Sequence, residues 1–129
     1  MTVDHAALVE QARAVRIHAH APYSGYGVGA ALAAGGGQVY LGVNVESAAY
    51  PAGICAERAA LGAAVTAGAR DLVTLAVAGS GDQPCVPCGV CRQALHELAP
   101  DLEVLAAGDV GKPVRYVLGR DLLPHAFRL

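Results

Sequence analysis

Two short segments of the chain carry the residue types of a metal centre. Cys55 stands two residues before Glu57, and Cys88 and Cys91 share a C-x2-C spacing. Residues three apart on a helix face the same side, so the last two sulfurs can meet one ion. Zinc takes about four tetrahedral ligands, and a catalytic zinc site leaves one position for water. The pattern therefore predicts a catalytic zinc centre in which Glu57 moves protons.

The cysteine pattern allows other interpretations. A fourth cysteine, Cys85, lies one C-x2-C step ahead of the pair, so four thiolates could close the site around a structural zinc. An iron–sulfur site fits less well because it leaves Cys55 and Glu57 without a role. For Glu57 alone, the structural alternative is a buried ion pair with Arg58 or Arg92.

The segments around these residues have the composition of helices and strands. Residues 54–67 are rich in Ala and Leu and end before Gly68, which suits the turn after a helix. This helix is apolar on all sides, which predicts burial, although its first turn is charged. Three helices are predicted over 5–18, 54–67 and 89–98, and five strands over 28–34, 38–43, 72–78, 102–106 and 114–118.

The order of these elements predicts a fold class. Layering rules give an α/β fold, a three-layer α/β/α sandwich with a mixed sheet of about five strands. The seven residues 107–113 are too few for a crossover helix, so the last two strands are predicted to be antiparallel. Two cysteine-bearing helix starts that meet at one sheet edge would favour thiolates, because helix N-termini carry positive partial charge.

Composition limits the classes of function. The 129 residues predict a single domain over 1–129. Eleven acidic residues against nine basic ones give a net charge of −2, which argues against a nucleic-acid surface. The 54 % hydrophobic residues form no stretch long enough to span a bilayer, so we expect the surplus at subunit contacts. The N-terminus lacks the pattern of a signal peptide, which predicts a cytoplasmic protein.

Four segments spread over most of the chain carry a family resemblance. They read PYSGYGVGAAL at 22–32, NVESAAYPAGICAER at 44–58, PCGVCRQ at 87–93 and LLPHAF at 122–127. A Cys with a two-residue step to Glu, followed by P-C-x-x-C, is the signature of zinc nucleobase deaminases. In this order the segments resemble the cytidine deaminase family, of the small homotetrameric type with three cysteine ligands.

The resemblance implies hydrolytic deamination of cytidine and 2′-deoxycytidine to uridine and 2′-deoxyuridine, with release of ammonia, in pyrimidine salvage. It implies that Cys55, Cys88 and Cys91 bind Zn²⁺, which activates the water that attacks C4 of the cytosine ring. Glu57 would carry the proton to the adjacent ring nitrogen and then to the leaving ammonia. Three thiolates leave the ion with a net charge of about −1, which we expect Arg58 to offset by contacting two of the sulfurs.

The resemblance also implies contacts to the substrate. Asn44 and Glu46 match residues that hydrogen-bond the ribose hydroxyls, and the backbone N–H of Ala56 matches a contact to the pyrimidine carbonyl. Tyr26 replaces a phenylalanine that packs near the pyrimidine. Phe127 matches a ring that a neighbouring subunit brings to the base. The implied partners are a nucleoside and further copies of this chain in a homotetramer, with neither nucleic acid nor membrane.

Other functions share parts of this pattern. Deaminases of cytosine-bearing antibiotics of the blasticidin S type also have the C-A-E and P-C-x-x-C segments, but the Asn44–Glu46 pair and the LLPHAF tail favour a nucleoside. The acidic balance disfavours a nucleic-acid editing deaminase. A zinc-stabilised assembly module without activity is the alternative outside enzymes. Ser47, where the family usually has asparagine, and Tyr26 leave fine substrate preference open.

Overall fold

The computed structural model describes residues 3–129, which contain a five-stranded mixed sheet. Its strands are β1 (Val28–Ala34), β2 (Val39–Val43), β3 (Leu72–Gly79), β4 (Glu103–Ala107) and β5 (Val114–Val117), in the order β2-β1-β3-β4-β5. β3 and β4 are parallel, and the other neighbours are antiparallel. The predicted antiparallel pairing of the last two strands is therefore confirmed. The N-terminal segment whose sequence lacks a signal-peptide pattern begins with Met1 and Thr2. These two residues lie outside the described residues.

Helices cover both faces of the sheet. α1 (His5–Val15) packs on one face, and α2 (Ala56–Thr66) and α3 (Gly89–Leu98) pack on the other. Successive strand residues point to opposite faces. In β1, Ala31 and Ala33 accordingly join the core under α1, whereas Leu32 joins the core under α2 and α3. The predicted three-layer α/β/α sandwich is confirmed.

A glycine in β2 sets how closely α2 approaches the sheet. A Cβ at Gly42 would overlap the carbonyl oxygen of Ala56 and the amide nitrogen of Ala60. Only a residue without a side chain fits there, so the first turn of α2 lies directly against β2. This contact fixes the end of the helix that carries the charged residues.

The ends of several elements differ from the prediction. α2 begins at Ala56, because Cys55 is extended with φ −78° and ψ 153° and precedes the helix as its cap. α1 ends at Val15 and continues as a 3-10 turn to His18. The three α-helices span 11, 11 and 10 residues. Among residues 3–129, no helix combines the length and the apolar character that crossing a membrane requires.

The burial of α2 also differs from the prediction. Ala60 and Ala64 are buried with the two residues of its first turn, but Gly62 and Ala63 are exposed in the single chain. A helix in an outer layer packs against one neighbouring layer only, so an apolar composition on all sides does not bury it on all sides. Burial on every side would need a contact from outside the chain.

Candidate metal centre and active site

Three cysteine sulfurs lie together where α2 and α3 begin. Cys55 directly precedes α2, Cys88 directly precedes α3, and Cys91 lies in the first turn of α3. The three sulfurs lie within 4.8 Å of one another, and those of Cys55 and Cys88 are 3.8 Å apart. We call this set the sulfur group. Its position at two helix N-termini, where N–H groups lack partners within the helix, favours negative charge on the sulfurs.

The sulfur group fits zinc. Zn–S bonds of about 2.3 Å in a tetrahedron place two sulfurs about 3.8 Å apart, and the Cys55–Cys88 separation is 3.8 Å. Cys91 is fully buried, and burial together with the charges of Glu57 and Cys55 raises the pKa of its thiol. A divalent cation supplies the positive charge that such a thiol needs in order to ionise. The donors and their spacing thus agree with the predicted cofactor.

The helix start acts most directly on Cys88. Burial by itself opposes ionisation of this thiol, but the backbone N–H groups of Cys91 and Val90 and the neighbouring thiols lower its pKa overall. Backbone N–H groups at the first turn of a helix stabilise an anion in this way. The start of α3 therefore favours the thiolate form of Cys88, in which it would bind a cation.

Cys85 lies outside the sulfur group. The metal-ligating side chains that converge in residues 3–129 are those of Cys55, Cys88 and Cys91. Cys85 is half-buried, and its thiol lies beside the hydroxyl of Tyr26. A fourth sulfur is therefore absent from this group, which argues against the closed four-thiolate alternative.

Glu57 projects from the first turn of α2 into a cavity beside the sulfur group. Its side chain is only 4 % exposed and lines a cavity of about 430 Å³ together with Cys55 and Cys88. Burial raises the pKa of Glu57, although the charge of Arg58 acts in the opposite direction. A carboxyl group of raised pKa exchanges a proton more readily near neutral pH. The cavity has the volume of a small-molecule site.

Arg58 contacts the sulfur group from the side. Its Nη2 donates to the sulfur of Cys55 at 3.8 Å. The thiols of Cys55 and Cys91 raise the pKa of Arg58, which keeps the guanidinium charged. Its Nε is buried and has no hydrogen-bond partner within residues 3–129. A fixed positive charge therefore lies next to the sulfurs.

The other end of the cavity is lined by polar side chains that follow β2. Asn44 accepts from the backbone N–H of Val28 at 2.8 Å and donates to the carbonyl of Tyr26 at 2.9 Å. Glu46 accepts from the backbone N–H groups of Tyr23 and Ser24, at 3.0 and 3.1 Å, and from the Ser24 hydroxyl. The Ser24 hydroxyl, followed by its backbone N–H, lowers the pKa of Glu46. Glu46 is therefore an anion near neutral pH.

The structure gathers most of the predicted site residues around one cavity. Tyr26, Asn44, Glu46 and Ala56 line it together with Cys55, Glu57 and Cys88. Phe127 does not line this cavity. The residue is 68 % exposed, and its carbonyl accepts a hydrogen bond from the side-chain amide of Gln93 at 3.1 Å. The predicted role of Phe127 is to bring its ring to the base in a neighbouring subunit. A single chain does not test this role, so it stays a prediction.

Sequence reasoning missed several residues that line the cavity. Ser24 holds Glu46, and Val28 contributes an apolar wall at the start of β1. Cys85 and Val86 line the cavity from the loop before α3. The Pro-Tyr-Ser-Gly turn was a signal for Ser24, because serine hydroxyls in turns bind nearby polar groups. The C-x2-C step indicated Cys85 only as a possible fourth zinc ligand, and no spacing in the sequence links Val28 or Val86 to the cavity.

Sequence comparison identifies relatives along most of the chain. The family described as "Cytidine and deoxycytidylate deaminase zinc-binding region" matches residues 2–106. A cytidine deaminase from Halalkalibacterium halodurans is 39 % identical over 125 residues, which are 97 % of this chain and 95 % of that protein. A cytidine deaminase from Sporosarcina psychrophila is 37 % identical over 120 residues, 93 % of this chain and 88 % of that one.

Solved structures share the fold. A cytidine deaminase from Burkholderia pseudomallei superposes with a TM-score of 0.92 at 45 % identity, covering 97 % of this chain and 100 % of that one. A cytidine deaminase from Mycobacterium tuberculosis gives a TM-score of 0.83 at 35 % identity, covering 99 % and 100 %. Sequence, architecture and the zinc-compatible sulfurs agree, and the chain belongs to the cytidine and deoxycytidylate deaminase family.

Proposed function

We propose that this chain is a zinc-dependent enzyme that hydrolyses cytidine and 2′-deoxycytidine to uridine and 2′-deoxyuridine, with release of ammonia, in pyrimidine salvage. The observation that carries the proposal is the buried carboxyl group of Glu57 in the cavity that Cys55 and Cys88 also line. The relatives named cytidine deaminase, which match nearly the whole chain, support the choice of substrate.

Glu57 has the position of a proton carrier. When bound, zinc supplies a Lewis acid that lowers the pKa of water. Glu57 accepts the two protons of the attacking water in turn. The first goes to the ring nitrogen beside C4 as the water oxygen bonds to C4, and the second goes to the amino group as its bond to C4 breaks and ammonia leaves. The burial of Glu57 keeps the proton away from bulk solvent during the transfer.

Arg58 and the helix start tune the metal end. Three thiolates reduce the positive charge of a divalent ion to a net charge of about −1, which weakens its action on water. The guanidinium of Arg58, with its contact to Cys55, offsets part of this charge. The backbone N–H of Ala56 has no partner within the helix and is free to hold the pyrimidine carbonyl.

Asn44 and Glu46 bind the ribose hydroxyls at the far end of the cavity. Asn44 keeps one amide hydrogen after its contacts to Val28 and Tyr26, and Glu46 keeps acceptor capacity after its contacts to the 23–24 turn. A carboxylate that is ionised near neutral pH accepts hydrogen bonds from hydroxyls strongly. The two residues thus hold the sugar while the base lies near Tyr26.

Neighbouring copies complete the active site in a homotetramer. Phe127 and Tyr50 expose 68 % and 86 % of their surface in the single chain, and large exposed apolar groups are typical of association surfaces. The ring of Phe127 would then stack on the base in a neighbouring subunit. The four cysteines are unpaired, and thiolate ligation of this kind suits the reducing conditions of the cytoplasm.

The test is loss of cytidine absorbance at a measured zinc content. We expect turnover of cytidine by zinc-loaded protein, loss on chelation and recovery when zinc is restored. Glu57→Gln should keep its zinc, because Glu57 is not a ligand, while kcat falls by about 10²- to 10⁴-fold. Glu97→Gln, on the exposed surface of α3, is the matched control and should stay close to the parent.

Three outcomes would contradict the proposal. The first is near-normal turnover by Glu57→Gln, since that would remove the proton carrier. The second is faster turnover of a blasticidin S-type antibiotic than of cytidine, which would reverse the choice of substrate. The third is a zinc absorption edge that shows four sulfurs and no oxygen, which would mean a closed structural site.

A further inference from the structure

The last residue of β3 leaves a small space beside the cavity. Gly79 pairs with Val28 in the sheet. A Cβ at position 79 would overlap the hydroxyl oxygen of Tyr26 and would lie 2.6 Å from its Cζ and 2.9 Å from the Cβ of Cys85. The φ angle of Gly79 is not positive, so its backbone suits any residue. The glycine is therefore required for the space it leaves, which we call the hydroxyl niche.

Cys85 forms a second wall of the hydroxyl niche. Its backbone N–H donates to the carbonyl of Ala107 at 3.0 Å, which ties the loop before α3 to the end of β4. Its thiol lies beside the phenol of Tyr26. Burial, followed by the contact with Cys85, raises the pKa of Tyr26 to about 12. The phenol is therefore neutral at physiological pH and stays between a strand end and an anchored loop.

The main chain around the Tyr26 ring is fixed as well. The backbone N–H of Tyr26 donates to the hydroxyl of Ser24 at 2.9 Å, and its carbonyl accepts from Asn44 at 2.9 Å. Tyr26 and Cys85 line the same cavity as Glu57. The backbone of Tyr26 is thus held on both sides, and the residue, which is 40 % exposed, forms part of the cavity wall with its hydroxyl next to Gly79.

We propose that Gly79 and Cys85 are positioning residues that set the pyrimidine affinity of the site by fixing the ring of Tyr26. This inference rests on the proposed function, in which Tyr26 packs near the pyrimidine. A side chain at position 79 displaces the hydroxyl from its niche and drives the ring into the space that the substrate needs. Positions 26 and 79 are therefore coupled, because the hydroxyl oxygen of Tyr26 is the atom that a Cβ at position 79 would overlap most.

The first test compares Gly79→Ala, Tyr26→Phe and the double variant. An added methyl group that pushes the ring toward the substrate should raise KM for cytidine and Kd for uridine by about tenfold in Gly79→Ala, with kcat nearly unchanged. In the Tyr26→Phe background the same alanine should raise both constants by about threefold, because the oxygen nearest to the added Cβ is gone while the ring Cζ, 2.6 Å away, still has to shift. Calorimetry with uridine provides the readout without turnover.

Gly62→Ala is the matched control. In the single chain a Cβ at Gly62 meets nothing within 4 Å, so Gly62→Ala adds the same methyl group without an overlap. We expect its KM and Kd to stay within about twofold of the parent, since exposed substitutions have small effects. Zinc content, light scattering and thermal unfolding of every variant separate a displaced ring from lost metal, lost assembly or lost fold.

The second test uses substitutions of Cys85, which add no atom to the hydroxyl niche. It therefore tests the positioning role even if Gly79→Ala does not fold. Cys85→Ala should raise KM by about threefold, and Cys85→Ser, which keeps a polar partner for the phenol, should recover most of this loss. In the Tyr26→Phe background, Cys85→Ala should have almost no further effect. A purely structural role would lower thermal stability without this dependence on the residue at position 26.

The outcomes decide between the two proposals. Parent-like KM and Kd in Gly79→Ala, or equal losses with Tyr and with Phe at position 26, would overturn the positioning role while leaving cytidine turnover intact. Coupling between positions 26 and 79 in thermal unfolding alone would overturn it too. Failure of the parent to turn over cytidine would instead overturn the proposed function, whatever the ratios among these variants.

Discussion

The two ends of the cavity are built in different ways. At the metal end, the sulfur group lies where two helices begin, and polar groups there lack full partners. Within residues 3–129 the Arg58 Nε has no hydrogen bond, and Cys91 is buried among negative groups. At the nucleoside end, Asn44 and Glu46 already bond to the backbone of neighbouring segments. The metal end is completed by an ion, whereas the nucleoside end is held by the protein itself.

Because of this difference, we expect substitutions at the two ends to change different properties of the protein. Buried donors and acceptors that have protein partners stabilise the fold, and removal of one partner leaves the other unsatisfied. Side chains that bind a metal ion contribute little to the free energy of unfolding of the metal-free protein, but they contribute strongly to the reaction rate. Substitutions at the metal end should therefore act on zinc and turnover, while substitutions at the nucleoside end should act on stability and affinity together.

The largest expected effect is that of Cys91→Ala. With one thiolate lost, the protein should purify with far less than one zinc per chain, and kcat/KM should fall by about 10⁴-fold or more. Its unfolding free energy, compared with metal-free parent, should change by only about 1 kcal/mol, because the contacts that the thiol makes with Arg58 and Cys88 are weak sulfur hydrogen bonds. Chemical denaturation and metal analysis check both statements.

Cys85→Ala is the matched cysteine control for that experiment. It removes a thiol three residues before Cys88 and outside the sulfur group, so its zinc content and its kcat should match the parent. Loss of zinc in Cys85→Ala would make this cysteine a ligand. Metal-free Cys91→Ala could instead have a much lower free energy of unfolding than metal-free parent. That result would contradict the proposal that the metal end contributes less to stability than the nucleoside end.

The next effect in size is that of Arg58→Gln. Residues just outside a metal's ligands change affinity or activity by about 10- to 100-fold, and we expect a loss of kcat in this range with zinc retained. Removal of a positive charge disfavours ionisation of water at the centre, so the acid limb of the pH–rate profile should move to higher pH. Arg58→Lys keeps the charge but loses the planar fork, and should recover part of the loss.

The sequence predicted the metal end well, and physical reasons explain why. Cys88 and Cys91 lie one helical turn apart, and Cys55 and Glu57 lie in one helix start, so local geometry alone brings each pair together. The order of apolar segments predicted the layers and the mixed sheet, since each element must bury one face. These features depend on neighbours along the chain, which a sequence displays directly.

The remaining features depend on contacts between distant segments. Ser24 meets Glu46 across 22 positions, and Gly79 meets Tyr26 across the sheet, without any spacing that marks either contact. Burial of α2 was overestimated because composition does not tell which side of an outer helix has a neighbour. The role of Phe127 involves a second chain, about which a single sequence gives only the resemblance and the apolar surplus.

Asn44→Ala tests the nucleoside end directly. The change removes the partner of the Val28 N–H and of the Tyr26 carbonyl, so the unfolding free energy should fall by about 1–3 kcal/mol. KM for cytidine should rise by about tenfold, because the loop that carries the ring moves with the lost contacts. Asn44→Asp keeps the acceptor for Val28 and should retain part of the stability. A rise in KM without loss of stability would show that the contacts of Asn44 to Val28 and Tyr26 do not stabilise the nucleoside end in the absence of substrate.

The smallest expected effect, that of Phe127→Ala, tests whether the nucleoside end extends into a second chain. Loss of an aromatic contact costs about 0.5–1.5 kcal/mol, so KM should rise by about three- to tenfold with zinc, fold and assembly unchanged. Assemblies that mix two variants make the test specific. Glu57→Gln chains lack the proposed proton carrier but keep Phe127, so if the ring acts across an interface they should lower the KM of the active Phe127→Ala chains toward the parent value. If the ring acts within its own chain, mixing cannot restore it, and the KM of the Phe127→Ala sites will not change with the proportion of Glu57→Gln chains.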